Sequence, residues 1–394
     1  FPNMNRYVAG FAALPDVTLS LVSEDPEESI PASLRPRVAG HYRVKDSYDG
    51  EQLTVAVRAI SRGVGRVDRL AGALEQLQVP MATVRDALDI DGIRGDVARN
   101  FRDKDRMKDV LRAHDVPVAK SGLAHSPDAL RKFVDQVGFP IIVKPQAGLG
   151  AQSTYRINSA EELAALERKG VVPSSSVPLQ VEEFIRARER TCETVTIRGV
   201  PVWRSGTRYL PSPLEVLETP WKQYCVLLPR EENDEEMARF APVNTSALSA
   251  LFGASASTAA GTALTHMEWF LRDDGRSLVN EVGARPPGVQ IMPLMSIAHE
   301  TDFWSDWTTL MALDEFKPRP RRWAAGAAFF RGQGAGNRIV SVEGIDAAIE
   351  ELGDALVEMR TPKVGQARVR NYEGEGWATV RHATTEGVER ALLA

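Results

Sequence analysis

Two β-prone segments joined by a tight-turn sequence constrain the fold of this chain more than any other feature. The segments are ALTHMEWFLR (263–272) and SLVNEV (277–282), and Asp273-Asp274-Gly275 lies between them. An Asp-Gly turn between two apolar runs is a strong signal for a β-hairpin. Glu268 lies on the first strand and Glu281 on the second. Because a tight turn makes the strands antiparallel, the sequence predicts that these two carboxylates face one site.

Paired carboxylates of this kind suit a hard divalent cation. Mg²⁺ in nucleotide sites is commonly bound by one or two carboxylates together with substrate phosphates. Arg285 follows Glu281 by four residues, and a guanidinium forms bidentate contacts with phosphoryl oxygens. The alternative is an exposed ladder of ion pairs, which contributes only ~0 to 1 kcal/mol to stability. The apolar flank Ser277-Leu278-Val279 favours the buried, functional placement.

A lysine at the end of an apolar strand is the second feature with chemical meaning. Lys144 lies near the end of FPIIVKP (139–145), and the small-residue loop QAGLGAQS (146–153) follows. An ammonium beside backbone amides that glycine leaves accessible suits phosphate oxygens. The alternative is a solvated lysine at a strand end, since a lone glycine-rich loop is a weak signal and no Walker Gly-Lys-Ser/Thr follows.

The remaining pattern indicates several domains. Residues 1–95 alternate short β-prone runs with helix-like stretches, which is typical of an α/β layer. Residues 93–114 are predicted to form one long helix that ends before Pro117. From about residue 320 a proline-rich basic linker precedes a small α+β tail. A chain of 394 residues fits two or three domains, so the predicted fold class is multidomain α/β and α+β.

Composition argues against several classes of function. A formal charge of −5 gives no global electrostatic reason to bind a polyanion, so no nucleic-acid partner is expected. No segment approaches the ~18 uninterrupted apolar residues of a membrane helix, and no signal-peptide pattern is present. Cys192 and Cys225 are too few for a disulfide framework and lack the spacing of a zinc site. The expectation is a cytoplasmic enzyme without a membrane partner.

The order of the motifs resembles that of the ATP-grasp superfamily. The motifs are FPIIVKPQAGLGAQS (139–153), the hinge strand QVEEFI (180–185) and the hairpin pattern E-x12-E-x3-R. Within the superfamily, the chain most resembles the L-amino-acid-ligase-like carboxylate–amine ligases, over roughly residues 70 to 315. The resemblance implies an ATP-grasp fold with an N-terminal Rossmann-like (pre-ATP-grasp) domain and a small C-terminal α+β domain.

The domain boundaries that follow from this resemblance are 1–95, 96–318 and 319–394, with a lid at about 116–184. The implied cofactors are ATP and Mg²⁺. The implied phosphate contacts are Lys104, Lys144, Gln152 and Ser153. The implied contacts to adenine and ribose are Glu182 or Glu183, the backbone around Ile185, and Glu189.

The resemblance also implies the roles of the hairpin residues. Glu268 and Glu281 would hold Mg²⁺ between the β- and γ-phosphates, and Arg285 would be catalytic by stabilising the phosphoryl group and the acyl phosphate. Gly283 stands where many members place an asparagine metal ligand. His266 has two interpretations, a contact to the substrate or a satisfied core histidine.

The implied reaction joins a carboxylate and an amine through an acyl phosphate, releasing ADP and phosphate, with an amino acid as one substrate. The alternatives are a biotin-carboxylase-like or purine-biosynthesis-like enzyme, and a nucleotide-binding protein without turnover. The loop at 205–230 is expected to shape the substrate pocket, where Trp221 or Tyr209 either lines the site or packs. A homodimer through the N-terminal layer is a further expectation from the resemblance.

Overall fold

The structure is a computed structural model. It describes residues 4–145, 154–219, 221–231, 235–255, 257–369 and 371–394. Gln152 and Ser153, the two phosphate contacts expected in the loop after Lys144, lie outside the described residues. The described residues form a mixed α/β structure with a large antiparallel sheet, which confirms the predicted fold class.

The strands and helices follow one another along the whole chain. In chain order the strands are β1 (Leu19–Ser23), β2 (Val38–Arg43), β3 (Ser121–Ala124), β4 (Ile141–Pro145), β5 (Tyr155–Ile157), β6 (Leu179–Glu183), β7 (Arg188–Ile197), β8 (Val200–Leu210), β9 (Tyr224–Leu228), β10 (Ala263–Leu271), β11 (Ser277–Gly283), β12 (Ala324–Phe330), β13 (Leu356–Arg360) and β14 (Gly376–His382). The helices are α1 (Met4–Ala13), α2 (Gly50–Val64), α3 (Gln78–Leu88), α4 (Gly95–Arg102), α5 (Lys104–Ala113), α6 (Pro127–Val137), α7 (Ala160–Arg168), α8 (Pro213–Glu218), α9 (Glu235–Phe252), α10 (Ile291–His299), α11 (Phe303–Leu313), α12 (Ile345–Leu352) and α13 (Thr385–Ala391).

The largest sheet carries the predicted hairpin at one edge. Its strand order is β11-β10-β7-β8-β9-β12-β14-β13, and all of its pairings are antiparallel. The three C-terminal strands therefore extend the same sheet as β7 to β11, although the sequence pattern suggests a separate tail. The boundary at residue 318 remains a prediction.

A second, four-stranded sheet carries the lysine strand. Its order is β3-β6-β4-β5, and it is antiparallel throughout. Helices α6 and α7 cover it with an apolar core that includes Leu130 and Leu163. Ser126 and Ser159 cap these two helices by accepting hydrogen bonds from backbone N–H groups of their first turns, as expected for N-cap serines. Ser159 and Glu162 form the Ser-x-x-Glu pattern of a capping box, so the sequence by itself indicates this cap.

The N-terminal layer is small in the described residues. Strands β1 and β2 pair in parallel, and helices α2 and α3 pack beside them around Leu53, Val57 and Val84. Among the described residues, no helix is both long enough and apolar enough to cross a lipid bilayer.

The prediction of a single helix over residues 93–114 is wrong. The structure has two helices there, α4 and α5, with Asp103 between them in an extended conformation. The Asp103 carboxylate accepts hydrogen bonds from the backbone N–H groups of Asp105 and Arg106. An N-cap aspartate satisfies donors that the start of a helix leaves unpaired, so a new helix begins at Lys104.

An aromatic pair lies in the core between α9 and the large sheet. Phe240 of α9 stacks on Trp269 of β10 with ring centroids 3.9 Å apart and planes 5° from parallel. Both side chains are almost completely buried. This contact holds α9 against the same strand that carries Glu268.

We expect Phe240→Ala to lower the free energy of unfolding by ~3 to 5 kcal/mol, because the truncation removes buried apolar surface and leaves a cavity. Denaturant titration followed by tryptophan fluorescence measures this change. The control is Leu393→Ala, since Leu393 is 87 % exposed and its truncation should leave the transition unchanged. Equal transitions for the two variants would contradict the assignment of this stack to the core.

Candidate functional site

One cleft of about 1180 Å³ lies between the four-stranded and the eight-stranded sheets. The predicted site residues within the described part of the chain all line it, namely Lys104, Lys144, Glu182, Glu183, Ile185, Glu189, Glu268, Glu281 and Arg285. These residues come from α5, β4, β6, β7, β10, β11 and the segments that follow β6 and β11. Tertiary folding therefore brings the separate sequence motifs to one site. The role of each residue remains a proposal.

The hairpin places its two carboxylates opposite each other. Glu268 of β10 is the direct cross-strand partner of Glu281 of β11. The register then shifts, because Trp269 pairs with Val279, which leaves Asn280 as an extra residue on β11. Such a β-bulge re-aims side chains, and both Asn280 and Glu281 line the cleft. The Asn280 amide donates to Glu268 Oε2 at 3.5 Å.

A lysine from α5 meets the hairpin. The Lys104 ammonium forms a hydrogen-bonded ion pair with Glu281 Oε1. Burial opposes ionisation of Glu281, but Lys104 and Lys144 outweigh it and lower the pKa of this carboxyl to about 2. Glu281 is therefore an anion throughout the physiological pH range.

On the side of the cleft formed by the four-stranded sheet, two lysines form ion pairs with one glutamate, Glu182 of β6. Lys144 Nζ lies 3.1 Å from Glu182 Oε1, and Lys108 Nζ lies 2.6 Å from the same oxygen. Burial alone raises the pKa of Glu182, but the two lysines reverse the shift and lower the pKa to about 2. Burial opposes the charge of Lys144, yet Glu182 and Glu281 raise its pKa above the ordinary value. The cleft thus holds an ionised lysine and an ionised glutamate out of bulk water.

The segment that joins the two sheets carries the residues expected to meet the base and ribose. Glu183 Oε1 accepts a hydrogen bond from the backbone N–H of Lys120 at 2.8 Å. Ile185 is 8 % exposed and lies beside the cleft. Glu189 stands opposite Phe270 in the sheet, and burial, reinforced by Glu268, raises the pKa of its carboxyl.

His266 fits the interpretation as a satisfied core histidine, and its contact to the substrate stays a prediction. Its ring is buried and hydrogen-bonded, with Nδ1 2.7 Å from Glu193 Oε1, and it also lines the cleft. Nε2 lies 3.7 Å from Glu268 Oε1. Burial opposes the imidazolium, but hydrogen bonds to Glu193 and Glu268 raise the pKa of His266 to about 9.

Arg285 is joined to the N-terminal layer. Its Nε donates to Glu75 Oε2 at 3.1 Å and its guanidinium also donates to the backbone oxygen of Pro286 at 3.0 Å. Glu75 is 7 % exposed and forms a second ion pair with Arg102 at 3.4 Å. These contacts fix the direction in which the Arg285 guanidinium enters the cleft.

Sequence reasoning missed four residues of this arrangement, namely Glu75, Lys108, Glu193 and Asn280. Asn280 lies within the predicted hairpin strand SLVNEV, but no motif position singled out Asn280 or the other three. The stretch 205–230, predicted as a loop, contains the end of β8, helix α8 and strand β9. Of its two aromatic candidates, Tyr209 of β8 is buried and lines the cleft, whereas Trp221 is 73 % exposed.

A stretch of the sequence that contributes to this cleft matches a known family model. Residues 103–196 match the family model described as the ATP-binding domain of the carbamoyl-phosphate synthase L chain. The carbamoyl phosphate synthase large chain of Methanothermobacter thermautotrophicus is 26 % identical over 170 residues, or 42 % of this chain and 16 % of that protein. This chain thus spans about a sixth of the length of that protein and a smaller share of other carbamoyl phosphate synthase large chains that it matches.

Solved structures resemble the whole chain. An L-amino acid ligase from Bacillus licheniformis superposes with a TM-score of 0.71 and 20 % identity, covering 91 % of this chain and 86 % of that one. This chain has the ATP-grasp fold. An N5-carboxyaminoimidazole synthase from Aspergillus clavatus, in complex with ADP and 5-aminoimidazole ribonucleotide, superposes with a TM-score of 0.68 and 16 % identity, covering 99 % of this chain and 94 % of that one.

The donor set of the ATP-grasp cleft fits a magnesium ion held jointly with phosphates. Among the residues that the structure describes, no three His, Cys, Asp or Glu side chains converge to hold a metal by themselves. Glu268 and Glu281 are cross-strand partners, and Glu281 already forms an ion pair with the Lys104 ammonium. Two carboxylates with remaining positions for water and phosphate match the usual ligation of Mg²⁺.

Proposed function

We propose that this protein is an ATP-dependent carboxylate–amine ligase that forms an amide or peptide bond, with an amino acid as one substrate. The observation that carries the proposal is the pairing of Glu268 with Glu281 in the cleft that also holds Lys144 and Arg285. Anionic ligands for a divalent cation thus stand beside ammonium and guanidinium donors for phosphate. This combination suits phosphoryl transfer.

The chemistry explains why the reaction needs ATP. A carboxylate is a poor electrophile, and amide formation from ions in water is uphill. In the proposed first step a carboxylate oxygen of the acid attacks the γ-phosphorus of ATP, and the bond between that phosphorus and the β–γ bridging oxygen breaks to release ADP. In the second step the neutral amine attacks the acyl carbon, the C–O bond to phosphate breaks, and the nitrogen loses a proton.

The chain's own residues act by positioning and electrostatics. Lys104 and Lys144 would contact nucleotide phosphates, and Glu189 would accept the ribose hydroxyls. Of the pair Glu182 and Glu183, Glu183 with the backbone at Ile185 would meet adenine, because two lysines already hold the Glu182 carboxylate. The fixed guanidinium of Arg285 would stabilise the transferring phosphoryl group. Glu268 and Glu281 would hold Mg²⁺, which neutralises phosphate charge when bound.

The test is phosphate release from ATP in the presence of magnesium, measured across a panel of amino acids supplied singly and in pairs. We expect release well above background only when both an acid and an amine are present, together with a product of condensed mass. A further arm supplies bicarbonate with an aminoimidazole ribonucleotide, because structures resembling this chain include synthetases of that kind.

Each outcome decides between the candidate functions. Turnover only in the bicarbonate arm would replace the proposal with a carboxylating ligase. ADP binding without phosphate release in any arm would indicate a nucleotide-binding protein without turnover.

A further inference from the structure

Lys108 is a buried charged residue that the proposed chemistry does not use. Its side chain is 1 % exposed, and it is absent from the lining of the cleft. It lies one turn after Lys104 on α5, and its ammonium contacts the same Glu182 oxygen as the cleft-lining Lys144. Burying a charge costs a protein several kcal/mol unless the charge is paired, so this placement calls for a physical reason.

The reason lies in the charge balance around Glu182. Lys108 and Lys144 both contact Oε1 of this carboxylate, so two positive charges share one negative charge. Together Lys108, Lys144 and Glu182 carry a net charge of about +1. Without Lys108, the remaining pair of Lys144 and Glu182 is neutral. A neutral pair attracts a phosphate much less strongly than a cation does in a partly desolvated cleft.

We infer that Lys108 is a positioning residue that neutralises Glu182, so that the Lys144 ammonium stays available to the phosphates of the nucleotide. The inference rests on the proposed function, which places nucleotide phosphates beside Lys144. Lys108 thereby sets the affinity for nucleotide without touching it.

The elements packed around Lys108 differ in the charged groups that they bring close to it. Charged groups act on it from three strands, namely Glu182 of β6, Lys144 of β4 and Glu281 of β11. Strand β3 contributes no ionisable side chain, and α9 contacts α5 through the apolar core around Met107 and Leu111. Helix α4 shares that core and also pairs Asp96 with Arg106 of α5 at 3.2 Å. Burial, reinforced by Lys144 against the opposing effect of Glu182, lowers the pKa of Lys108 to about 8.

The experiment measures ADP affinity by isothermal titration calorimetry at constant magnesium for the wild type and three variants. We expect Lys108→Met to weaken ADP binding about tenfold or more at pH 7. The double variant Lys108→Met/Glu182→Gln should recover affinity to within roughly threefold of the wild type, because it removes the carboxylate that Lys108 neutralises. Lys132→Met, at an exposed lysine of α6, is the matched control and should bind as the wild type does.

A pH series separates this role from a merely structural one. As the pH rises through about 8, Lys108 loses its proton, so wild-type affinity should fall toward that of Lys108→Met. Glu189 and His266 titrate in both proteins, so the informative quantity is the difference between the two curves. That difference should be largest at pH 7 and vanish near pH 9.5.

The outcomes distinguish this inference from the proposed function. Wild-type and Lys108→Met proteins that bind ADP equally, or a double variant no better than the single one, would overturn the role of Lys108 and leave the ligase proposal intact. A wild type that binds no ADP at any pH would overturn both. Circular dichroism of each variant shows whether it is folded, and the recovery in the double variant cannot arise from misfolding of Lys108→Met.

Discussion

Glu281→Gln is expected to reduce ATP turnover by about a hundredfold or more, the scale seen when a preorganised electrostatic group is removed from an active site. The substitution keeps the size of the side chain and an oxygen that can still accept a hydrogen bond from Lys104. It removes the negative charge that faces Glu268 across the hairpin. Since a neutral amide is a weaker ligand for a hard cation than a carboxylate, the magnesium concentration needed for half-maximal rate should also rise.

The measurement is initial-rate phosphate release at several magnesium concentrations, with the substrate pair identified by the screen. The control is Glu389→Gln, because Glu389 is an exposed residue of α13 and its change should leave the rate and the magnesium dependence unaltered. Near-normal turnover in Glu281→Gln, at ordinary magnesium, would remove Glu281 from the proposed metal site.

Arg285→Lys is expected to lower kcat by about a hundredfold while leaving ADP affinity within about threefold of the wild type. Lysine keeps the positive charge but loses the planar fork that binds two phosphoryl oxygens together. It also loses the two contacts, to Glu75 Oε2 and the Pro286 oxygen, that direct the guanidinium into the cleft. ADP lacks the γ-phosphate, so its binding should not depend on this residue.

Single-turnover rates and calorimetric ADP binding together check this expectation. Arg390→Lys, at an exposed arginine of α13, is the matched control for the same chemical change. A variant that loses ADP binding and turnover in equal proportion would assign Arg285 to nucleotide binding, and unchanged kcat would exclude it from the chemistry.

The hairpin and the lysine strand could be predicted from the sequence because their signals are local. The Asp-Gly turn, the alternation of apolar residues and the serine cap at Ser159 act within a few residues. The structure has β10 and β11 around that turn and β4 ending beside Lys144, as predicted. The same local information also contained Asp103, but its capping role competed with the helical pattern on both sides, and the prediction of one continuous helix was wrong.

The sequence by itself determined which chemical groups this protein could offer, since carboxylates, lysines and an arginine recur in an order typical of one superfamily. Only the tertiary structure decided which of them meet. Lys104 and Glu281 are 177 positions apart, and Glu75 and Arg285 are 210 positions apart. The bulge at Asn280 and the second lysine on Glu182 likewise depend on how two sheets and α5 pack, because no turn or periodicity encodes contacts across such distances.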